Sequence, residues 1–171
     1  MDIEELLLKL QSGRSDALAE IYRATKRAVY VSAFAILRNP ADAEDVMQDV
    51  YLTIAQSAVR YKPKGKPLAW ILTITKNLAR NAHKKRKRFV PLDSLIEQPA
   101  PVREESSGIT ELAAKVLGER ELEAVLLKTV AGYSHKEIAE LSGEPYATVR
   151  WRYCASVEKL KNYIEKENIV L

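Results

Sequence analysis

Proline and glycine punctuate this 171-residue chain so regularly that they decide its fold class. None of the seven prolines interrupts an apolar-periodic segment; each stands at a segment start or between segments, where a missing N–H and a fixed φ cost nothing. Glycine totals only six, and no run alternates with period two for long. The pattern predicts an all-α chain. Helices are expected near Ile3 to Leu10, Asp16 to Leu37, Ala41 to Arg60 and Leu68 to Lys87, with Asn39-Pro40 and the string Lys62 to Pro67 as the breaks. In the second half they are expected at Thr110 to Leu117, Glu119 to Ala131, Ser134 to Leu141 and Pro145 to Glu165. Between the halves, Gln98 to Gly108 carries Pro99, Pro101, two serines and no helical period. The organisation that follows is two small helical domains, 1–90 and 109–171, joined by a flexible linker over 91–108.

A hydrophobic fraction of 47% is ample for a core in each half. The longest apolar run, Ala28 to Leu37, reaches 10 residues including Ser32, well short of the roughly 20 needed to span a bilayer. The first residues, Met1-Asp2-Ile3-Glu4-Glu5, are acidic where a secretory leader is basic. Neither membrane insertion nor export is expected, and the expected compartment is the cytoplasm. A single Cys154 makes no internal disulfide, and with His83 and His135 scattered it completes no zinc site. No metal or cofactor is expected.

Charge is distributed very unevenly. The 43 residues from Val50 to Leu92 hold 11 of the 27 Lys and Arg and none of the 23 Asp and Glu, so this block carries +11 and the remainder −7. A polyanion, nucleic acid first, is the expected partner of the block.

On the helix from Ala41, Ala43, Val46, Met47, Val50 and Ile54 fall on one side at 100° per residue, and Asp42, Asp45, Gln48, Asp49 and Leu52 on the other. Carboxylates in the first turns suit the positive end of the helix dipole, so a solvated, well-capped surface helix is one reading. An acidic docking face for a basic protein partner is the other. Asp42, Glu44, Asp45 and Asp49 do not read as metal ligands, because no histidine, second acidic cluster or calcium-loop spacing joins them.

The next helix mixes Trp70, Thr73, Thr75, Lys76, Asn77, Arg80, Asn81 and His83 with an apolar stripe of Leu68, Ile71, Leu72, Ile74 and Leu78. Cations that track phosphates, aromatics that stack on bases and amides that read base edges together suit single-stranded or melting nucleic acid. The tail Lys84 to Arg88 reads equally as a phosphate contact or as a solvated helix end facing the negative end of the dipole.

In the second half, Ser134 and Glu137 form a capping box, and Ala139 is small where two helices cross. Gly143 permits a left-handed turn, and Val149 lies ten residues after Ala139. That spacing is a helix-turn-helix, although an ordinary helical hairpin shares it. Val149, Tyr153, Val157, Leu160 and Ile164 form the expected buried stripe of the second helix, leaving Tyr146, Ala147, Thr148, Arg150 and Trp151 at an exposed N-terminal end suited to a major groove.

Taken in order, these strings resemble the extracytoplasmic-function sigma factors of bacterial RNA polymerase. Asp42-Ala43-Glu44-Asp45-Val46-Met47-Gln48-Asp49-Val50-Tyr51 is similar to that family's region 2.2, Lys66 to Ala79 to its region 2.3, and Gly132 to Arg152 to its region 4.2. The resemblance implies a dissociable, non-enzymatic subunit that directs core polymerase to promoters. It implies that 1–90 is region 2, with Asp42, Glu44, Asp45, Gln48, Asp49 and Leu52 docking on the β′ clamp helices. It further implies that Tyr61, Lys62, Lys64, Gly65, Lys66, Trp70, Thr73, Lys76, Asn77 and Arg80 open and read the −10 element. In 109–171, as region 4, Tyr146, Ala147, Thr148, Arg150, Trp151 and Arg152 would hold the −35 element, with the β flap as a further polymerase contact and an anti-sigma factor as regulator.

Four positions depart from the family pattern. Ser142 and Glu144 replace usually apolar residues, which predicts looser packing at the turn; Ala155 replaces a frequent arginine and Trp151 a small residue. The loop before Trp70 is richer in lysine than most, which steepens the expected salt dependence by roughly −0.9 in log-log slope per phosphate contact. Two other readings stand beside the sigma factor: a dimeric helix-turn-helix regulator, which gives no reason for the acidic face, and an adaptor that binds polymerase without reading promoters. A hydrolase or nuclease lacks convergent catalytic groups.

Overall fold

The computed structural model describes residues 2–89 and 108–169, which form α-helices with no strand among them. Several helix ends follow from local devices. Helix α1, Ile3–Gln11, opens behind Asp2, whose carboxylate accepts the Glu4 N–H at 2.9 Å. Helix α2, Asp16–Leu37, stops where Arg38 enters the left-handed region at φ 55° and donates its N–H to the Phe34 carbonyl. Directly after it, the Asn39 side chain accepts the Asp42 N–H at 3.1 Å and Pro40 takes the first position of α3, Pro40–Ser57. A 3₁₀ turn, Ala58–Arg60, ends that segment, and α4 runs over Pro67–Phe89. The second half holds α5 (Gly108–Val116), α6 (Glu119–Thr129), α7 (His135–Ser142) and α8 (Tyr146–Lys166). The chain divides into two compact units, 1–97 and 98–171. Of the expected linker, 91–107 lies outside the described residues, and Gly108 begins α5 two residues ahead of the expected start.

In the first unit α2 packs against α1, α3 and α4. Its C-terminal half is buried nearly all round, from Ala28 to Leu37 with only Tyr30 part-exposed, so it is the axis on which the others lay their apolar faces. Against it stand Leu6 and Leu7 of α1, Val46, Val50 and Ile54 of α3, and Ile71, Leu72 and Ala79 of α4. Among the described residues of this unit, Thr25, Ser32 and Thr75 are polar side chains fully buried in the core. The Thr25 hydroxyl donates to the Ile21 carbonyl at 2.7 Å, which leaves its oxygen to accept the Tyr51 hydroxyl at 2.9 Å. Thr75, expected on the exposed side of α4, is fully buried and donates to the Ile71 carbonyl at 3.0 Å. The reason lies in its angle, between those of Ile71 and Leu68 on the helix wheel.

In the second unit α8 packs on α5, α6 and α7 around Leu122, Leu126, Ile138, Ala139 and Val149. The expected capping box of α7 is present: Glu137 N–H donates to Ser134 Oγ at 3.2 Å, and Ser134 N–H to Glu137 Oε2 at 2.7 Å. Gly143 turns left-handed at φ 70°, as its place in a helix-turn-helix requires. The expected stripe of α8 needs correction. Val157 is exposed and Ser156 fully buried, because repeated four-residue steps drift by about 40° each and carry Val157 off the face on which Val149 starts.

Glu144 changes the expectation at the turn more sharply. Its carboxylate takes both arms of the Arg152 guanidinium, one of them at 2.9 Å, while Arg120 approaches within 3.7 Å. The departure from an apolar residue therefore replaces packing with a partly buried bidentate ion pair rather than a loose turn. Three carboxyls of this unit lie below their ordinary 4.5: Glu144 through the Arg152 bond, Glu121 through the Gly118 N–H, and Glu137 through Ser134. The stability these groups contribute is complete above pH 4.5 and fades as pH falls through their folded-state values. Glu144→Ala is expected to lower stability at pH 7 by about 1–3 kcal/mol, and thermal unfolding followed by circular dichroism between pH 7 and 3 should show a shallower acid loss than in the unsubstituted chain.

Candidate protein and nucleic-acid interfaces

Helix α3 buries Ala43, Val46, Val50 and Ile54, and this fixes what it shows to solvent. Asp45, Gln48 and Asp49 are exposed around Leu52, itself 61% exposed, so an apolar side chain is ringed by carboxylate and amide. An exposed leucine with a polar rim has the composition of a protein-docking patch. Two of the expected members stand apart from it. Asp42 accepts Arg86 Nη1 at 2.8 Å across the α3–α4 contact, and Glu44 lies on the flank where its charge, second to burial, raises the Tyr30 hydroxyl above its ordinary pKa. The centre of the patch is thus Asp45, Gln48, Asp49 and Leu52.

Helix α4 buries Leu68, Ile71, Leu72, Thr75 and Ala79 on one side. On the opposite side, within about 80° on the wheel, fall Trp70, Thr73, Asn77, Arg80 and Lys84. Thr73 hands its proton to the Ala69 carbonyl at 2.8 Å, and Asn77, Arg80 and Lys84 are exposed. Lys76 borders this face and is part-buried. Arg86 falls at the angle of the buried side, beyond the core, which is why it meets Asp42.

The loop ahead of α4 is held from α1. A single oxygen, Glu4 Oε1, accepts the Tyr61 hydroxyl at 2.9 Å and the N–H groups of Lys64 and Gly65 at 3.1 Å each. From the last turn of α1, Gln11 Nε2 donates to the carbonyls of Val59 at 3.0 Å and Tyr61 at 3.3 Å. Tyr61, expected among the nucleic-acid contacts, is 5% exposed and faces inward; burial and then Glu4 push its hydroxyl up to about 12, so it stays a donor. Its ring lies 5.0 Å from that of Trp70, tilted by 59°. Lys62, Lys64, Gly65 and Lys66 remain exposed, as expected. Nothing in the composition of α1 announces this clamp; only its acidic first turn was visible.

On α8, Tyr146, Ala147, Thr148, Arg150 and Trp151 are exposed, Trp151 at 70%. Arg152 departs from expectation: its side chain is 16% exposed and committed to Glu144, because it follows Val149 by three residues and shares the buried side. Among the described residues no helix is long and apolar enough to cross a membrane, and no three His, Cys, Asp or Glu are grouped to hold a metal ion.

The model of Sigma-70 region 2 matches residues 21–89, the stretch that carries both the α3 patch and the α4 face. Over 175 residues, 94% of this chain and 90% of the relative, it is 27% identical to the ECF RNA polymerase sigma factor SigK of Mycobacterium sp. (strain KMS). It is 28% identical to the RNA polymerase sigma factor CarQ of Myxococcus xanthus, over 91% of this chain and 94% of that one. Its fold is similar to CnrH, solved in complex with the cytosolic domain of CnrY, with a TM-score of 0.66, 18% identity and coverage of 96% and 99% of the two chains. The sigma factor RpoE of Bartonella quintana, solved with the anti-sigma factor NepR, gives 0.63 at 21% identity, covering 88% and 97%. The region-2 match thus falls on the helices that form both candidate faces, and along nearly its full length the chain is similar to proteins named as RNA polymerase sigma factors, among them the ECF sigma factor SigK.

Proposed function

We propose that this chain is a dissociable subunit that directs bacterial RNA polymerase core to specific promoters and begins strand opening, with all covalent chemistry left to the polymerase. One observation carries the reading: α3 and α4, packed on a common core, turn outward an acidic patch around Leu52 and a cationic, amide and aromatic face. The first suits the β′ clamp helices and the second an opened −10 strand, where phosphates meet lysine and arginine and unpaired bases meet Trp70 and Asn77. Residues 1–90 serve as region 2, and 109–171, through Tyr146, Thr148, Arg150 and Trp151, as the −35 reader and β-flap contact. Work of this kind belongs in the cytoplasm with the polymerase. An anti-sigma protein that covers one of the two faces suits the chain as regulator; the similarly folded RpoE was solved in complex with an anti-sigma factor.

The pairing of Arg152 with Glu144 favours a qualification within this reading. It removes one guanidinium from the −35 face, so promoter choice rests more heavily on the −10 side than the number of basic residues on α8 implies.

Two variants separate the roles. Asp45→Lys with Gln48→Ala should abolish co-elution with core polymerase while helical ellipticity is unchanged; retained co-elution contradicts the docking assignment. Trp70→Ala with Asn77→Ala should keep core binding within about threefold yet lose most of the permanganate reactivity of −10 thymines, since each stacked base contributes roughly 1–3 kcal/mol.

A further inference from the structure

We propose that Glu4, at the start of α1, is the positioning residue of the −10-reading loop, an inference that rests on the promoter-facing reading of that loop given above. Residues 62–66 place three lysines, a proline and a glycine in five positions, a composition with little order of its own and with like charges that repel one another. What orders them is one carboxylate oxygen 57 to 61 residues away, which accepts the Tyr61 hydroxyl and the successive N–H groups of Lys64 and Gly65. Successive amides that converge on one point form an anion-binding concavity, and here a protein carboxylate already fills it. Glu4 therefore takes the place in which a phosphate would otherwise draw the loop backbone, and leaves the lysine side chains exposed for DNA.

The same oxygen reaches the aromatic part of the face indirectly. By holding the Tyr61 hydroxyl it fixes the ring against which Trp70 packs at 5.0 Å, while Gln11 pins the carbonyls of Val59 and Tyr61 from the other end of α1. Loop and tryptophan are thus referenced to one helix that touches no DNA in this scheme. Glu5, next in sequence, pairs instead with Lys9 at 2.9 Å on the exposed side of α1 and has no part in the clamp.

The test uses the full chain with core polymerase on a promoter recovered by sequencing the run-off starts of the unsubstituted chain, together with versions of that promoter changed at each −10 base. Glu4→Ala should keep core affinity but reduce discrimination between parent and altered −10 bases about fivefold or more, the size of one lost base contact. Tyr61→Phe, which spares the two amide bonds, should lose less, and Glu5→Ala, which removes the same charge, should lose nothing. Full discrimination by Glu4→Ala overturns the proposal, as does an equal loss in Glu5→Ala, which would make charge alone the cause. Should Glu4→Ala lose core affinity through unfolding, Tyr61→Phe decides: full discrimination there overturns the proposal and partial loss supports it. Absence of promoter-specific starts from the unsubstituted chain would instead overturn the sigma-factor reading itself, and the positioning role with it.

Discussion

Burial of α2 constrains the first unit more than any other feature, because a helix enclosed from Ala28 to Leu37 leaves its three neighbours no choice of inner face. Once Val46, Val50 and Ile54 must meet α2, Asp45, Gln48, Asp49 and Leu52 must face water; once Ile71, Leu72 and Ala79 must meet it, Trp70, Thr73, Asn77 and Arg80 must turn away. Both candidate interfaces are thus by-products of one packing arrangement. Their chemistry differs only because acidic residues are absent from Val50 onward, through the whole of α4. The ion pair from α4 to α3 between Arg86 and Asp42 is surface-exposed and contributes at most about 1 kcal/mol.

The second unit solves a different problem. Helix α8 shows the polar side of its N-terminal end to solvent, and it is held there by caps and charge as well as by Val149 and Ala139. Glu137 closes the capping box, Glu121 joins the Gly118 N–H to Lys159 of α8, and Glu144 locks Arg152. Each of these bonds is strongest with its carboxylate ionised, so acid weakens the elements that present Tyr146, Thr148, Arg150 and Trp151.

Helix positions were legible in the sequence because their determinants are local: Asn39-Pro40, the Ser134 and Glu137 pair, Gly143 and the prolines around 63–67 each act within four residues of the boundary they set. The α3 patch was legible for the same reason, since the buried and exposed residues of a 3.6-residue period declare each other. Three misplacements have local causes. Thr75 and Arg152 were read by residue type, although each lies three or four residues from a buried apolar side chain, and Val157 was placed by a four-residue ladder that drifts around the helix. Contacts across long separations carried no local signal. Neither the reach of Glu4 to Tyr61, Lys64 and Gly65 nor that of Gln11 to Val59 can be found by periodicity, and it is these contacts that turn Tyr61 from an expected DNA contact into a buried strut.

The most direct measurement of the central claim is run-off transcription from sheared genomic DNA by purified bacterial core polymerase, with and without this chain, followed by sequencing of the transcript starts. A sigma factor with these two faces yields new starts that share a −10 and a −35 pattern, and yields them only when the chain is present. Co-elution with core polymerase without any new start would contradict that account and leave a polymerase-binding adaptor; absence of both would leave a helix-turn-helix protein that acts on duplex DNA alone.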